Sequence, residues 1–75
     1  MYEKLLMKTA LLAGKILMEN GAEVYRTEDT LERIIKHGVG DNRIDEYYTH
    51  VTITGIFIRL ETIGTDFRRV GDRTY

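Results

Sequence analysis

The fold is decided by the stretch ILMENGAEVYR at residues 16–26. Apolar residues recur at helical spacing on both sides of it, and Asn20-Gly21 interrupts them. Both of these residues tolerate the left-handed conformation in which helices commonly end. The stretch therefore predicts two helices, at about residues 2–18 and 22–37. Because the connection between them is short, we expect an antiparallel helical hairpin.

The first helix carries its apolar residues mostly three and four positions apart, which indicates one buried face. That face consists of Leu5, Leu6, Ala10, Ala13, Ile16 and Leu17, widened by Leu12 and Met18. Gly14 lies inside the helix, where glycine costs about 1 kcal/mol relative to alanine. We interpret Gly14 as a position where another backbone comes close.

The second helix has its charges ordered along its axis. Acidic residues come first, at Glu23, Glu28 and Asp29, and basic residues come last, at Arg33, Lys36 and His37. This order complements the helix dipole at both ends. Gly38 and Gly40 are expected to end the helix.

From residue 43 onward the pattern alternates with a period of two, which indicates strands at about residues 43–53, 55–61 and 66–70. In the first strand the more apolar face is expected to lie on the core: Asp45, Tyr47, Thr49, Val51 and Ile53. In the second strand, Ile56, Ile58 and Leu60 share one face. Residues 62–65 are expected to form the turn to the third strand.

The expected fold is therefore α+β, with the two-helix hairpin packed on one face of a three-stranded, mostly antiparallel sheet. We expect residues 1–75 to form a single domain. Three strands are near the lower limit for independent stability. We therefore interpret the chain as an incomplete domain or one that a partner completes.

Composition excludes several classes of function. The chain has 75 residues, a net charge of −1 and no cysteine. The absence of cysteine excludes disulfides, thiolate nucleophiles and cysteine-based zinc sites. A nearly balanced charge gives no overall attraction to nucleic acid or anionic lipid, and we expect no nucleic-acid partner. No apolar run approaches the ~20 residues of a membrane span, so we expect the chain itself to be soluble.

Histidines and hydroxyls are the candidates for chemistry. His37 and His50 do not stand in a metal-ligand spacing, so we expect neither a metal site nor a cofactor. His50 could face Thr52 on the same side of its strand, as a nucleophile would require. Threonine is common in strands for packing reasons, which is the simpler interpretation.

A basic cluster stands near the end of the chain, at Arg68, Arg69 and Arg73. Such a cluster could bind a phosphate or an acidic lipid surface. Alternatively, it marks a charged edge strand that blocks aggregation between sheets, and we favour this second interpretation.

The stretch from Leu11 to Thr30 resembles the start of the threonine/serine exporter family. The family pattern is a glycine within a helix, then Gly-Ala-Glu, then Arg-x-Glu, which the chain matches at Gly14, Gly21, Ala22, Glu23, Arg26 and Glu28. Residues 53–57 and 68–70 are similar to the family's strands, and Asp72-Arg73 resembles an arginine that precedes a further helix in the family. The family often has proline near Thr54, and this chain has none.

The resemblance implies the cytoplasmic N-terminal part of a membrane transporter that exports threonine, serine or related small acids. It implies an accessory, gating or assembly role beside a missing transmembrane region or a partner membrane subunit. The candidate ligand or interface residues are Glu23, Arg26, Glu28, His50, Arg69 and Arg73. A small amino acid is the implied substrate, and the cytoplasmic face of the cell membrane is the implied location.

Two other classes of function stay open at this point. One is a small hydrolase built on His50 with a nearby carboxylate or threonine, which would need a concave pocket with convergent polar groups. The other is an interaction module in which an exposed sheet edge pairs with a second copy of the chain. We consider an enzyme less favoured than an accessory domain.

Overall fold

The computed structural model describes residues 2–40, 47–61 and 63–71. Its elements, in chain order, are α1 (Tyr2–Glu19), α2 (Val24–Val39), β1 (Tyr47–Val51), β2 (Gly55–Leu60) and β3 (Gly64–Arg69). The three strands form one antiparallel sheet in the order β1-β2-β3. This confirms the predicted α+β fold of two helices and a three-stranded antiparallel sheet.

The core lies between the helical hairpin and one face of the sheet. Its fully buried large side chains come from α1, α2 and β2, and the apolar ones are Leu11, Met18, Leu31, Ile35, Ile56, Ile58 and Leu60. Helix α1 packs on β2 and β3, and α2 packs on β1. Because β2 is the central strand, its alternate side chains Ile56, Ile58 and Leu60 form the floor of the core, as predicted.

The buried face of α1 is rotated from the face that the sequence predicts. The buried residues are Leu6, Met7, Ala10, Leu11, Gly14 and Met18. Leu5 and Ile16, predicted to be buried, are 63% and 53% exposed. The helix has apolar residues around most of its circumference, so the spacing alone does not decide which face the sheet covers.

Two glycines act differently from their predicted roles. Gly14 is buried, and a Cβ there would lie 2.7 Å from Ile56 Cδ1 and 3.0 Å from Leu31 Cδ1, so side chains rather than a backbone come close. Gly38 lies inside α2, without the positive φ of a helix-ending glycine, and a Cβ there would collide with Leu6. The helix ends at Gly40, whose φ is 97° and whose N–H donates to the Lys36 carbonyl.

The strands differ from prediction mainly at their ends. Residues 43–46 of the predicted first strand lie outside the described residues, and β1 ends at Val51 instead of Ile53. Ile53, predicted to face the core, is 63% exposed in the turn to β2. Strand β3 begins at Gly64, two residues earlier than predicted, because Gly64 with φ of 83° pairs directly with Leu60.

Carboxylates accept hydrogen bonds from amide groups at both edges of the sheet. On the β1 edge, Glu28 Oε2 accepts from the Val51 amide at 3.1 Å. On the β3 edge, Asp66 Oδ1 accepts from the Phe67 amide at 2.8 Å. Just after β3, Glu19 Oε2 accepts from the Gly71 amide at 2.6 Å. These amides are therefore already bonded and do not present a free row to another strand.

Candidate functional site

The connection between the helices places the first candidate residues. Gly21, with φ of 88°, lets the Ala22 amide donate to the Leu17 carbonyl at 3.0 Å and the Gly21 amide donate to the Met18 carbonyl at 3.1 Å. This pair of bonds is the Schellman ending of a helix, and it confirms Asn20-Gly21 as the end of α1. The chain then enters α2 with Glu23 at its N-cap.

Glu23 and Arg26 are both exposed and point to the surface at the start of α2. The Glu23 side chain makes no capping hydrogen bond. Within the described residues, Arg26 forms no ion pair with Glu23 or Asp29; Asp29 instead pairs with Arg33 at 3.1 Å. The Arg26 guanidinium is therefore available to a partner or a ligand.

Glu28 is the candidate residue that joins two elements. It lies on the side of α2 that faces β1, and its carboxylate accepts the hydrogen bond from the Val51 amide. The same Oε2 atom lies 4.0 Å from His50 Nδ1. Its side chain is 34% exposed, so one oxygen is held by the strand while water still reaches the group. The structure thus brings together Glu28 and His50, which are 22 positions apart in the chain.

A concave surface lies beside this pair, between α2 and β1. It is a cavity of about 380 Å³ lined by Glu28, Glu32, Tyr47, Tyr48, Thr49 and His50. Its lining combines two carboxylates with hydroxyl and imidazole groups, which are groups able to bind a small cation or an ammonium group. Within the described residues, no cluster of three or more His, Cys, Asp and Glu side chains is placed to hold a metal ion.

His50 begins a row of rings that crosses the sheet on the face away from the helices. Its ring lies 6.3 Å from that of Tyr48 and 6.3 Å from that of Phe57. Phe57 in turn lies 4.6 Å from Phe67 on the next strand. All four rings are partly exposed. The predicted outward direction of His50 is confirmed, while the row as a whole was not predicted.

No nucleophile stands beside His50 among the described residues. The Thr52 hydroxyl, the one predicted partner, belongs to the turn between β1 and β2. It donates to the Gly55 carbonyl at 3.2 Å and accepts from the Gly55 amide at 3.0 Å. Thr49 is buried on the opposite face of the strand. His50 therefore has a carboxylate near it, but neither of these threonine hydroxyls is placed for His50 to activate.

The remaining basic candidates lie apart from this site. Arg69 is exposed at the end of β3, opposite Gly55, and Arg73 lies outside the described residues. The Phe67 ring covers Gly55 so closely that a Cβ there would collide with it. Arg69 lies on the edge strand β3, whereas Glu28 lies on α2 beside the opposite edge strand, β1. The structure does not bring these two residues together.

One polar residue in this region was missed by the sequence reasoning. Thr27 is completely buried on α2, next to Glu28 in the chain, and its hydroxyl has no hydrogen-bond partner among the described residues. The helical spacing from Thr27 to Leu31 and Ile35 was the signal that could have placed it in the core.

Comparisons with known proteins identify one family. The model of the family described as "Putative threonine/serine exporter" matches residues 8–75. This confirms the resemblance carried by the glycines and charges around the helical hairpin. No curated protein and no solved structure matches the chain. In the described part of the chain, no helix has both the length and the apolar character required to cross a membrane.

Proposed function

From the premise that the chain belongs to the threonine/serine exporter family, we propose that it is the cytoplasmic N-terminal part of a membrane transporter. The family implies association with a membrane and export of small amino acids. Within that setting the chain acts as an accessory domain that gates substrate access or assembles the transporter. The family match over residues 8–75 is the observation that carries this proposal.

Arg26 is the residue we propose as the principal contact. It belongs to the part of the family pattern that the chain matches, it is exposed, and no acidic neighbour among the described residues neutralises it. A guanidinium in this state can bind a carboxylate through two parallel hydrogen bonds. The carboxylate belongs either to an amino-acid substrate or to an acidic side chain of the membrane-embedded part.

Glu28 and His50 are proposed to transmit contact at α2 to the sheet. Glu28 holds the Val51 amide and lies near His50, so a displacement of α2 changes the position of the β1 edge. This link supports a gating role, because it couples the exposed start of α2 to a second element.

The test is amino-acid export by cells that carry the complete transporter with Arg26→Ala. An arginine at the centre of a contact costs about 2 kcal/mol or more when it is truncated, which is about thirtyfold in affinity, so we expect a loss of threonine export of about tenfold or more. Because Arg26 is exposed, the thermal unfolding of the chain should stay unchanged. Lys36→Ala, an exposed cation near the end of α2, is the matched control and should export normally. Unchanged export in the Arg26 variant would refute the proposal.

The two alternatives have weaker support. For a hydrolase built on His50 and a threonine, the Thr52 hydroxyl is bonded within its turn; for one built on His50 and a carboxylate, Glu28 lies near His50 but is itself bonded to the Val51 amide. An interaction module that pairs sheet edges would need free edge amides, and carboxylates already bond those of Val51 and Phe67. Both features favour the accessory role over either alternative.

A further inference from the structure

The outer face of α1 carries large apolar side chains that the core does not use. Tyr2, Leu5, Leu12 and Ile16 are 63%, 63%, 48% and 53% exposed. At 100° per residue they fall within an arc of roughly 80° on the side of the helix opposite the buried residues. We refer to these four residues as the α1 outer stripe. A row of large apolar side chains along one exposed helix face marks a surface that contacts something apolar.

Positive charges lie on both sides of the α1 outer stripe. On one side are Lys4 and Lys8, both exposed, and Lys4 lies toward β3. On the other side, the cation is Arg33 of α2, which lines a shallow groove together with Tyr2. Arg33 also pairs with Asp29, which balances part of its charge. An apolar stripe between cationic margins is the arrangement of helices that lie in the interface of an anionic membrane.

Carboxylates near the stripe are directed elsewhere by their hydrogen bonds. Glu19, at the end of α1, binds Lys15 and the Gly71 amide. Asp66, which lines a surface hollow together with Lys4, accepts from the Phe67 amide. The chain has a net charge of only −1 in total, yet Lys4, Lys8 and Arg33 border this one apolar face. This local separation of charge provides the attraction to lipid phosphates that the total charge does not.

We propose that the α1 outer stripe and its cationic margins lie on the anionic lipid surface of the membrane. The apolar side chains enter the boundary between headgroups and acyl chains, and the lysine ammonium groups reach the phosphates. The proposal rests on the membrane association that the exporter family implies and does not depend on the role given to Arg26. It places the helical hairpin against the bilayer and the ring-bearing face of the sheet away from it.

Binding to lipid vesicles tests the surface directly. The chain is mixed with vesicles of phosphatidylcholine alone or with added phosphatidylglycerol, and bound protein is separated by flotation. We expect binding to the anionic vesicles, reduced by salt, and little binding to the neutral ones. Leu5→Ser with Ile16→Ser should weaken binding about tenfold or more, because two apolar contacts are lost. Ile53→Ser, at a site 63% exposed in the turn between β1 and β2, is the control and should bind normally.

Tryptophan fluorescence provides a second measurement that does not rely on affinity. The chain has no tryptophan, so a substituted one is the sole reporter. Leu12→Trp should shift its emission to shorter wavelength when anionic vesicles are added, whereas Ile53→Trp should not. Circular dichroism confirms that each variant is folded, as substitution at exposed positions should allow.

Three outcomes would overturn the proposal. They are the absence of binding to anionic vesicles, equal binding by the stripe variant and the parent chain, and an emission shift at residue 53 but not at residue 12. Impaired export by the stripe variant without any vesicle binding would assign the surface to a protein partner instead. If vesicle binding fails while Arg26→Ala still impairs export, the lipid surface is refuted and the accessory function stands.

Discussion

Single residues show where this small core departs from pure apolar packing. Thr27 places a hydroxyl among the buried side chains of α2, where no residue that the structure describes makes a hydrogen bond with it. A buried hydroxyl that makes no hydrogen bond lowers stability, because it loses its bonds to water without replacement. In a chain of 75 residues, whose core is thin, one such group is a noticeable fraction of the total stability.

The change Thr27→Val is expected to stabilise the chain by about 1 kcal/mol, because it removes the hydroxyl and keeps the branched shape. Urea unfolding followed by circular dichroism measures the difference. Thr30→Val is the control on the same helix. Its hydroxyl is exposed and donates to the Arg26 carbonyl at 3.0 Å, so the effect should stay within about 0.5 kcal/mol. A loss of stability in the Thr27 variant would show that its hydroxyl has a partner in solution.

Elements are joined here by carboxylates as well as by the core. Glu19 illustrates this, because its carboxylate pairs with Lys15 of the same helix and accepts a hydrogen bond from the Gly71 amide, just after β3. The hydrogen bond from Lys15, and to a smaller extent the one from the Gly71 amide, lower the pKa of the Glu19 carboxyl below its ordinary value of 4.5. The charged form of Glu19 is thus the one that the folded state prefers.

The pH dependence follows from that direction. Since the pKa of Glu19 is lower in the folded state, its contribution to stability is fully present above pH 4.5 and disappears as the pH falls further. The Glu19→Gln variant should therefore be less stable at pH 7 and should show a smaller loss of stability below pH 4.5. Thermal unfolding at several pH values measures both effects. Glu32→Gln, an exposed residue of α2, should leave the profile unchanged, and identical profiles for both variants would contradict the prediction.

The limits of prediction from sequence are also seen at the scale of elements. The end of α1 could be predicted, because Gly21 must adopt a positive φ. The register of the hairpin could not. A turn over residues 62–65 would place Phe57 opposite Val70, but the observed start of β3 at Gly64 places it opposite Phe67. The ring row, and with it part of the surface around His50, depends on that difference of register.

The candidate site, too, could be predicted from the sequence only in part. Glu28 was a candidate because it belongs to the family pattern, and His50 because it is a histidine on the outward face of a predicted strand. Their proximity required knowledge of how α2 lies along the edge of β1, which is a matter of tertiary packing and not of spacing. The rotated face of α1 has the same origin, since a helix with apolar residues on most sides takes its orientation from its neighbours.

Across the molecule as a whole, the two edge strands of the sheet are buried to different extents. Strand β1 lies against α2 and has two buried residues, whereas β3 has none and only Arg68 is half-buried. Regions with few buried contacts open at lower free energy than the rest of a domain. Strand β3 is therefore the part of the sheet expected to open first.

Hydrogen exchange should show this order. The amides of Asp66 and Arg68, on the strand paired with β2, should exchange about tenfold faster than those of His50 and Phe57, which pair β1 with β2. That ratio corresponds to an opening free energy about 1.4 kcal/mol lower. The measurement is residue-resolved exchange under native conditions. Equal protection on both sides of β2 would indicate that the sheet opens only as a unit.

The two hydrogen bonds that the Glu19 carboxylate accepts have a mechanical consequence. Tension applied to the backbone beyond Gly71 reaches the last turn of α1 through one carboxylate, in parallel with the Val70 amide bond to the Thr54 carbonyl. Force on that end of the chain is thus divided between helix and sheet. A pull transmitted along the polypeptide must therefore break a contact to the helix as well as one to the sheet before this end of the chain is released.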